Sequence, residues 1–503
     1  MRRSLAVSKA HYLGVRQGTN ATTALILNEK WKVCGKGYTQ HVQHYPKPGW
    51  VEHDPEEIWQ KTQESIALAL RAAGLEARDI RALGLANQGE TCLLWDRKTG
   101  EPVYNAIVWQ DRRTAQAADH LKVDHEERIR ERTGVPVDAY FSGLKIRWIL
   151  DNVPNARLRA ERGELMAGTL DTYLLWKLSG RALNVTDPST ASRTMMFNLH
   201  TKRWDREILD LLEVPRSILP EIVDSSGLLA STRSRLFGAA IPIASSLVDQ
   251  AAALFGQACF QPGAVKTTYG TGCFMLLNTG DAPVSSLNGL ITTVAWHYQG
   301  GTTFALDGGV YITGAAVEWL KDGLKMIQKT SEVEALSQTV PDSGGVYFVP
   351  AFVGLAAPHW DQYARGMIIG ITGGTTRAHI ARATLEAIAF QVRENLDVMR
   401  IDSGADIKVM RADGEAVDNQ FLMQYQADML GIPLDVPVIN ETTALGAAYL
   451  AALGIGDFGG LEEIGAKWKL RKRYEPGISE DERESRLANW RKAVQRCRRW
   501  AKS

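Results

Sequence analysis

Two short segments constrain this chain more than anything else in it. "YLGVRQGTNATTALILN" (12–28) reads as strand, Gly-Thr turn, strand, and "PGAVKTTYGTGCFMLLNTG" (262–280) repeats that plan half a chain length later. A tight Gly-Thr turn between strands exposes backbone N–H groups and hydroxyls, a usual way to hold a phosphate. The repetition predicts a duplicated domain with a cleft between the halves. At 503 residues the chain exceeds a single core, and the boundary is expected near "IPIASSLVD" (241–249), giving domains 1–248 and 249–503. Arg16 precedes the first turn, where a metal-dependent phosphate site calls for a carboxylate.

Helices and strands alternate between these landmarks. In "DPEEIWQKTQESIALALRAAG" Asp54 is an N-cap, Pro55 suits the first helical position and Glu57 completes a capping box. Ile58, Thr62, Ile66, Leu70 and Ala73 share a face, and Gly74 stops the helix. "IRALGLAN" is a buried strand delivering "QGET" at its end. "IKVMRADGEAVDNQFLMQYQADMLG" runs strand, Gly turn, then a helix capped by Asp418 or Asn419 and ended by Gly431. "TTALGAAYLAAL" is a small-residue helix suited to close backbone packing. The alternation predicts an α/β fold with parallel strands in each half.

Composition excludes several classes. The net charge of +1 gives no global field for nucleic acid or acidic membranes. The basic tail from Lys467 to Ser503, with Trp490 and Trp500 interleaved, also carries "SEDERE" and is expected to be a solvated terminal helix. Cys34, Cys92, Cys259, Cys273 and Cys497 show no paired spacing, as in a reduced cytoplasmic protein. No apolar stretch follows Arg2 and Arg3 to suggest a signal peptide, and no apolar run is long enough to span a membrane.

Taken singly, each Gly turn reads as an ordinary hairpin or helix entry; three in one chain, each after a strand, point to a nucleotide. No P-loop and no complete dinucleotide fingerprint is present. In "SSLVDQAAALFG" Asp249 and Gln250 stand at a strand end before a helix, where a carboxylate either takes a proton during phosphoryl transfer or caps the helix. Gln88 and Glu90, with Trp109, Asp111 and Arg112, suit a small polyol: polar groups for hydroxyls, an aromatic wall for carbons. His53 and His359 have no partners at metal-ligand spacing.

"YFSGLKIRWILDN" (140–152) and "GMIIGITGGTTRAHIARATLE" (366–386) resemble the two signature segments of the FGGY carbohydrate kinases. "HYPKPGWVEHDPEEIW", "YNAIVWQDRRT", "LVDQAAALFGQ" and "TTYGTGCFMLLNTG" resemble the glycerol kinases within that family, and the likeness runs from Tyr12 to the tail. The resemblance implies two ribonuclease H-like (actin-like ATPase) domains, the first on the polyol side and the second on the nucleotide side. It implies ATP- and Mg2+-dependent phosphorylation of glycerol to glycerol 3-phosphate, with ADP as product, in a cytoplasmic homo-oligomer (dimer or tetramer). By motif, Asp249 would be the base and metal ligand. Glu90, Trp109, Tyr140, Gln250 and Phe274 would surround the polyol, and Gly18, Thr19, Asn20, Thr271, Gly314, Gly414 and Asn419 would meet the nucleotide.

Departures fall on these same positions. Arg16 stands in place of the family's Asp, which weakens the Mg2+ site, and Asn20 to Thr23 lack a phosphate-facing arginine. Gly89 replaces an arginine of the polyol motif and is expected to open space beside Glu90; restoring Gly89→Arg is expected to tighten glycerol binding. Glu415 replaces a glycine of the nucleotide loop, and Glu318 a glutamine. "STRSRLFGAAIP" departs from the loop through which a sugar bisphosphate controls some relatives, so that control is not expected. Three readings follow: a glycerol kinase impaired at its ligand positions, a weak or inactive relative with a binding or regulatory role, and a kinase for another small polyol.

Overall fold

The computed structural model describes residues 10–501; Arg2 and Arg3 lie outside that range. Both predicted hairpins form. The first sheet comprises β1 (His11–Gln17), β2 (Ala21–Asn28), β3 (Val33–Gln40), β4 (Ile80–Asn87), β5 (Ser226–Ser231) and β6 (Pro242–Val248), in the order β5-β6-β4-β1-β2-β3. The second comprises β7 (Val265–Tyr269), β8 (Cys273–Gly280), β9 (Ile291–Tyr298), β10 (Gly301–Val310), β11 (Met410–Gly414), β12 (Leu434–Pro437) and β13 (Leu470–Tyr474), in the order β9-β10-β8-β7-β11-β12-β13.

The series β3-β2-β1-β4-β6 and β10-β8-β7-β11-β12 are the same arrangement twice. In each, three antiparallel strands continue into two parallel ones. The sheets are therefore mixed, not parallel throughout, because the hairpins that carry the Gly-Thr turns are antiparallel by construction. The matching order supports the duplication inferred from the two segments.

Two helices join the halves. Helix α2 (Asp249–Gly256) follows β6, and α5 (Thr442–Gly454) crosses back from the second half to pack on β1, β4 and β6. The small residues of α5 matter here. A Cβ on Gly14 of β1 would lie 1.8 Å from the Ala444 carbonyl oxygen, and one on Gly446 would lie 1.8 Å from that of Ala252. Backbone meets backbone at both contacts, which only glycine permits.

Helix α1 (Pro55–Ala73) starts at Asp54, whose carboxylate accepts from the Glu56 N–H, and ends at Gly74 in the left-handed region. Glu57 does not close a capping box; its carboxylate accepts from the Val42 N–H across a loop instead. Helix α4 (Gln420–Leu430) is capped by Asn419, which accepts from the Leu422 N–H, and ends at Gly431.

The terminal helix α6 (Glu480–Cys497) is not a solvated appendage. Trp490 is fully buried, stacks on Phe390 and donates its indole N–H to Glu394 at 2.9 Å. Arg491, Lys492 and Arg496 are exposed, which is why composition suggested solvation, while Arg483 and Arg486 are half-buried. Trp500 alone of the pair is exposed.

Candidate active site

The parallel strands β4 and β6 end side by side; the loop leaving β4 delivers Gln88 to Glu90, and α2, which starts directly after β6, delivers Asp249 and Gln250. Ligands of α/β sheets bind beyond such carboxyl ends. Trp109 and Tyr140 arrive on loops of the first half, and Phe274 from β8 of the second. These residues, with Thr19, line a cavity of about 40 Å3. A water occupies about 10–15 Å3 on the same measure, so the space takes three or so hydroxyl-sized groups.

Every residue that the family motifs assign to the polyol is in this wall, while Asp111 and Arg112 of the cluster read from the residues alone are not. Trp109 meets Tyr140 and Phe274 edge-on at ring separations of 5.9 and 5.8 Å. The indole N–H donates to Thr19 Oγ1 at 2.8 Å. Gln250 Oε1 accepts from the buried Lys266 ammonium at 2.5 Å. Asp111 is not a polyol group: it is fully buried, pairs with Arg113 at 2.8 Å and accepts from the Val51 N–H. Arg112 is held by Asp138 at 2.7 Å. That pair ties the loop of Trp109 to the segment of Tyr140, whose N–H donates to Asp138 Oδ1 at 2.8 Å.

Asp249 is the first residue of α2, and the cap position belongs to Val248. Burial pushes its carboxyl up to about 6, opposed by Arg16, raised further by Glu90 and opposed again by Lys266 and the Gln250 N–H. A carboxylate tuned toward neutral pH is what proton abstraction from a hydroxyl asks for.

The residues assigned to the nucleotide divide. Thr19 is in the polyol wall, and the exposed Asn20 and buried Gly18 flank it in the β1–β2 turn. Thr271, Gly314 and Gly414 gather elsewhere. The start of α3 (Gly314–Asp322) bonds the β7–β8 turn, Gly314 N–H donating to Gly270 O at 3.1 Å and Ala315 N–H to Thr271 O at 3.1 Å. Gly414 ends β11 at φ 95°, and a Cβ there would lie 2.2 Å from Tyr269 O. Glu415 follows it and is exposed. Asn419 spends its side-chain oxygen on the α4 cap. Glu318 is an exposed partner of Lys321 on α3.

Gly89 does not open space. A Cβ there would meet Val248 Cγ2 at 3.1 Å and Arg193 Cγ at 3.5 Å. Sequence reading missed Arg193, Asp307, Tyr311 and Lys266. Arg193 and Asp307 are in the cavity wall, Tyr311 lies 6.5 Å from Trp109, and Lys266 holds Gln250. Charged residues inside the apolar runs "STASRTMMF" and "TTFALDGGV" were the available signal, since such groups are buried only when paired.

Among the described residues no group of three or more His, Cys, Asp and Glu could hold a metal ion. Glu90 and Asp307 are both tied to Arg193. Asp249, the carboxylate that the family resemblance assigns to the metal, has the Arg16 charge acting on it. No all-protein cage for Mg2+ is therefore present among the described residues; in phosphoryl-transfer sites that ion is usually held by one or two carboxylates together with the nucleotide phosphates, and Asp249 is the carboxylate that would take that place here.

Comparison with known proteins agrees with this architecture. The N-terminal domain of the FGGY family of carbohydrate kinases matches residues 11–256, and its C-terminal domain matches residues 265–455. The chain belongs to the FGGY family of carbohydrate kinases, with the family's ribonuclease H-like, actin-like fold, and is a phosphotransferase. It is 54% identical to glycerol kinase 2 of Thermotoga maritima, over 98% of this chain and 99% of that one. It is 52% identical to glycerol kinase of Deinococcus radiodurans, over 97% and 98%. The crystal structure of Plasmodium falciparum glycerol kinase with ADP superposes at a TM-score of 0.88, with 33% identity, covering 97% of this chain and 98% of that one.

Proposed function

We propose that the protein transfers the γ-phosphoryl group of ATP to a terminal hydroxyl of glycerol, giving glycerol 3-phosphate and ADP. The observation that carries this reading is the cavity itself. Trp109, Tyr140 and Phe274 make an apolar wall for a short carbon chain, while Glu90, Gln250 and Asp249 offer polar groups to its hydroxyls. The filled space beside Gly89 argues against a larger polyol. Identity above 50% to two glycerol kinases over nearly the whole chain supports the choice of substrate.

Asp249 is the base in this reading. It accepts the hydroxyl proton as the oxygen bonds to the γ-phosphorus, and the bond from that phosphorus to the bridging oxygen breaks to release ADP. ATP occupies the second half, near the β7–β8 turn, the start of α3 and Gly414. The family implies the use of ATP with a divalent metal, generally Mg2+.

Arg16 favours a slow enzyme. Its charge acts on Asp249 where the family pattern has a carboxylate, and Glu415 adds a negative charge next to Gly414. A binding or regulatory relative of low activity is the second reading, and the same arginine supports it. Five free cysteines fit a reducing, cytoplasmic setting, and no helix among the described residues is long and apolar enough to cross a membrane. ADP release with Mg-ATP, measured against glycerol, erythritol, xylitol and 1,2-propanediol, tests the assignment. Release stimulated by glycerol above the other polyols is expected; stimulation by xylitol and not by glycerol would overturn it.

A further inference from the structure

The cavity holds an ion group that the proposed reaction has not used. Arg193 is 4% exposed and donates from Nε to Glu90 Oε1 at 2.6 Å; its Nη1 lies 2.9 Å from Asp307 Oδ2. All three residues line the cavity. Asp307 stands on β10 opposite Leu276 of β8, another lining residue, and only 2% of it is exposed. Its second oxygen, Oδ1, is buried and has no hydrogen-bond partner. A buried carboxylate oxygen left without a donor is costly, and a charged one more so. Arg193 satisfies one side of the group; the free oxygen calls for a donor that is not part of the protein.

The stem of Arg193 also occupies the room beside Gly89, with its Cγ 3.5 Å from where a Cβ would stand. A guanidinium is thus present in the pocket although position 89 has none, and it reaches Glu90 from the loop after the short helix Pro188–Ala191.

We propose that Asp307 is a polyol-binding residue, its Oδ1 accepting a hydroxyl of the substrate, and that Arg193 is the positioning residue that fixes both Asp307 and Glu90 for that contact. The inference rests on the polyol reading above and adds a specificity determinant to it. A site built to accept a hydroxyl rejects the analogue that lacks one far better than it rejects an analogue with one methylene changed, because the acceptor is then left unpaired.

Calorimetric titration of the whole protein with glycerol, 1,2-propanediol and 1,3-propanediol tests it without needing turnover. The unmodified protein is expected to prefer glycerol over at least one diol by about tenfold or more. Asp307→Asn should weaken glycerol and bring the glycerol-to-diol ratio to within about threefold of one, as expected when a charged acceptor is lost. Arg193→Lys should weaken all three ligands, since Lys cannot span Glu90 and Asp307 with one planar group. Thermal melting accompanies each titration. Should Asp307→Asn fail to fold, Asp307→Glu, which keeps the charge and displaces the oxygen, is titrated instead and should lower the same ratio. A folded Asp307 variant that binds all ligands more weakly with the ratio unchanged would make Asp307 structural and overturn the inference. An unmodified protein that binds none of the three would instead overturn the polyol reading, and this inference with it.

Discussion

The Trp109 indole N–H donates to Thr19 Oγ1 at 2.8 Å, so the aromatic wall of the polyol cavity is pinned to the Gly-Thr turn of the opening hairpin. Thr19 was assigned to the nucleotide by motif, yet its hydroxyl faces the polyol side. Trp109→Phe keeps an aromatic face and removes the donor. Its expected cost is about 1 kcal/mol of stability and a several-fold loss of glycerol affinity, and Thr19→Val should match it. Because the two act through one bond, the double variant should lose little more than either single one in melting and titration experiments.

Asp249 couples activity and stability to pH in opposite directions. Its carboxyl titrates near 6 in the folded protein against an ordinary 3.8, with burial as the main cause. A group whose pKa is raised on folding stabilises below its unfolded value and loses that contribution as pH rises through the folded value. At pH 7 the ionised Asp249 therefore costs stability. Asp249→Asn should melt higher at pH 7 and lose turnover by about 10²–10⁴-fold. The rate of the unmodified protein should fall on the acid side with a midpoint near 6. A rate flat from pH 5 to pH 8 would remove Asp249 as the base.

Arg16→Asp and Glu415→Gly, alone and together, measure how far the departures depress activity. Arg16→Asp removes a cation acting on Asp249 and supplies a carboxylate in its place. Turnover with Mg-ATP should rise, and the pair should recover more activity than either change alone, because both act on one ligand. A double variant no faster than the parent contradicts this.

Gly89→Arg is expected to weaken glycerol binding, the reverse of the outcome anticipated from sequence. The new side chain must displace Val248 and the Arg193 stem, and it places a second guanidinium beside the first. Titration with glycerol decides the sign.

The interface between α5 and α2 leaves no room for an added methyl group at Gly446. Gly446→Ala puts a methyl group 1.8 Å from the Ala252 carbonyl oxygen, backbone against side chain with nothing flexible to yield. Destabilisation of at least about 1–3 kcal/mol is expected, read as a lowered melting temperature.

Local signals carried much of this fold. The Gly-Thr hairpins, the Asp54 cap, a cap at Asp418 or Asn419 and the small-residue helix were all legible, because turn and cap chemistry act over a few residues. The cavity wall of Trp109, Tyr140, Phe274, Glu90, Gln250 and Asp249 was legible through motifs. What stayed hidden depends on long-range pairing. Glu57 bonding Val42, Asp111 pairing Arg113, and Trp490 packing under Phe390 each require knowing which segments meet. Arg193 and Asp307 lie more than a hundred residues apart in the chain and acquire meaning only as neighbours in the cavity. Gly89 misled for the same reason, since an absent side chain suggests space until the arginine filling it is seen.

The most direct test is phosphorus NMR of the products formed from ATP, glycerol and magnesium by the unmodified protein, beside its Asp249→Asn variant. The account predicts slow accumulation of glycerol 3-phosphate and ADP in the first sample and none in the second. Glycerol 3-phosphate forming at equal rates in both, or in neither sample even after Arg16→Asp and Glu415→Gly are introduced, would contradict it.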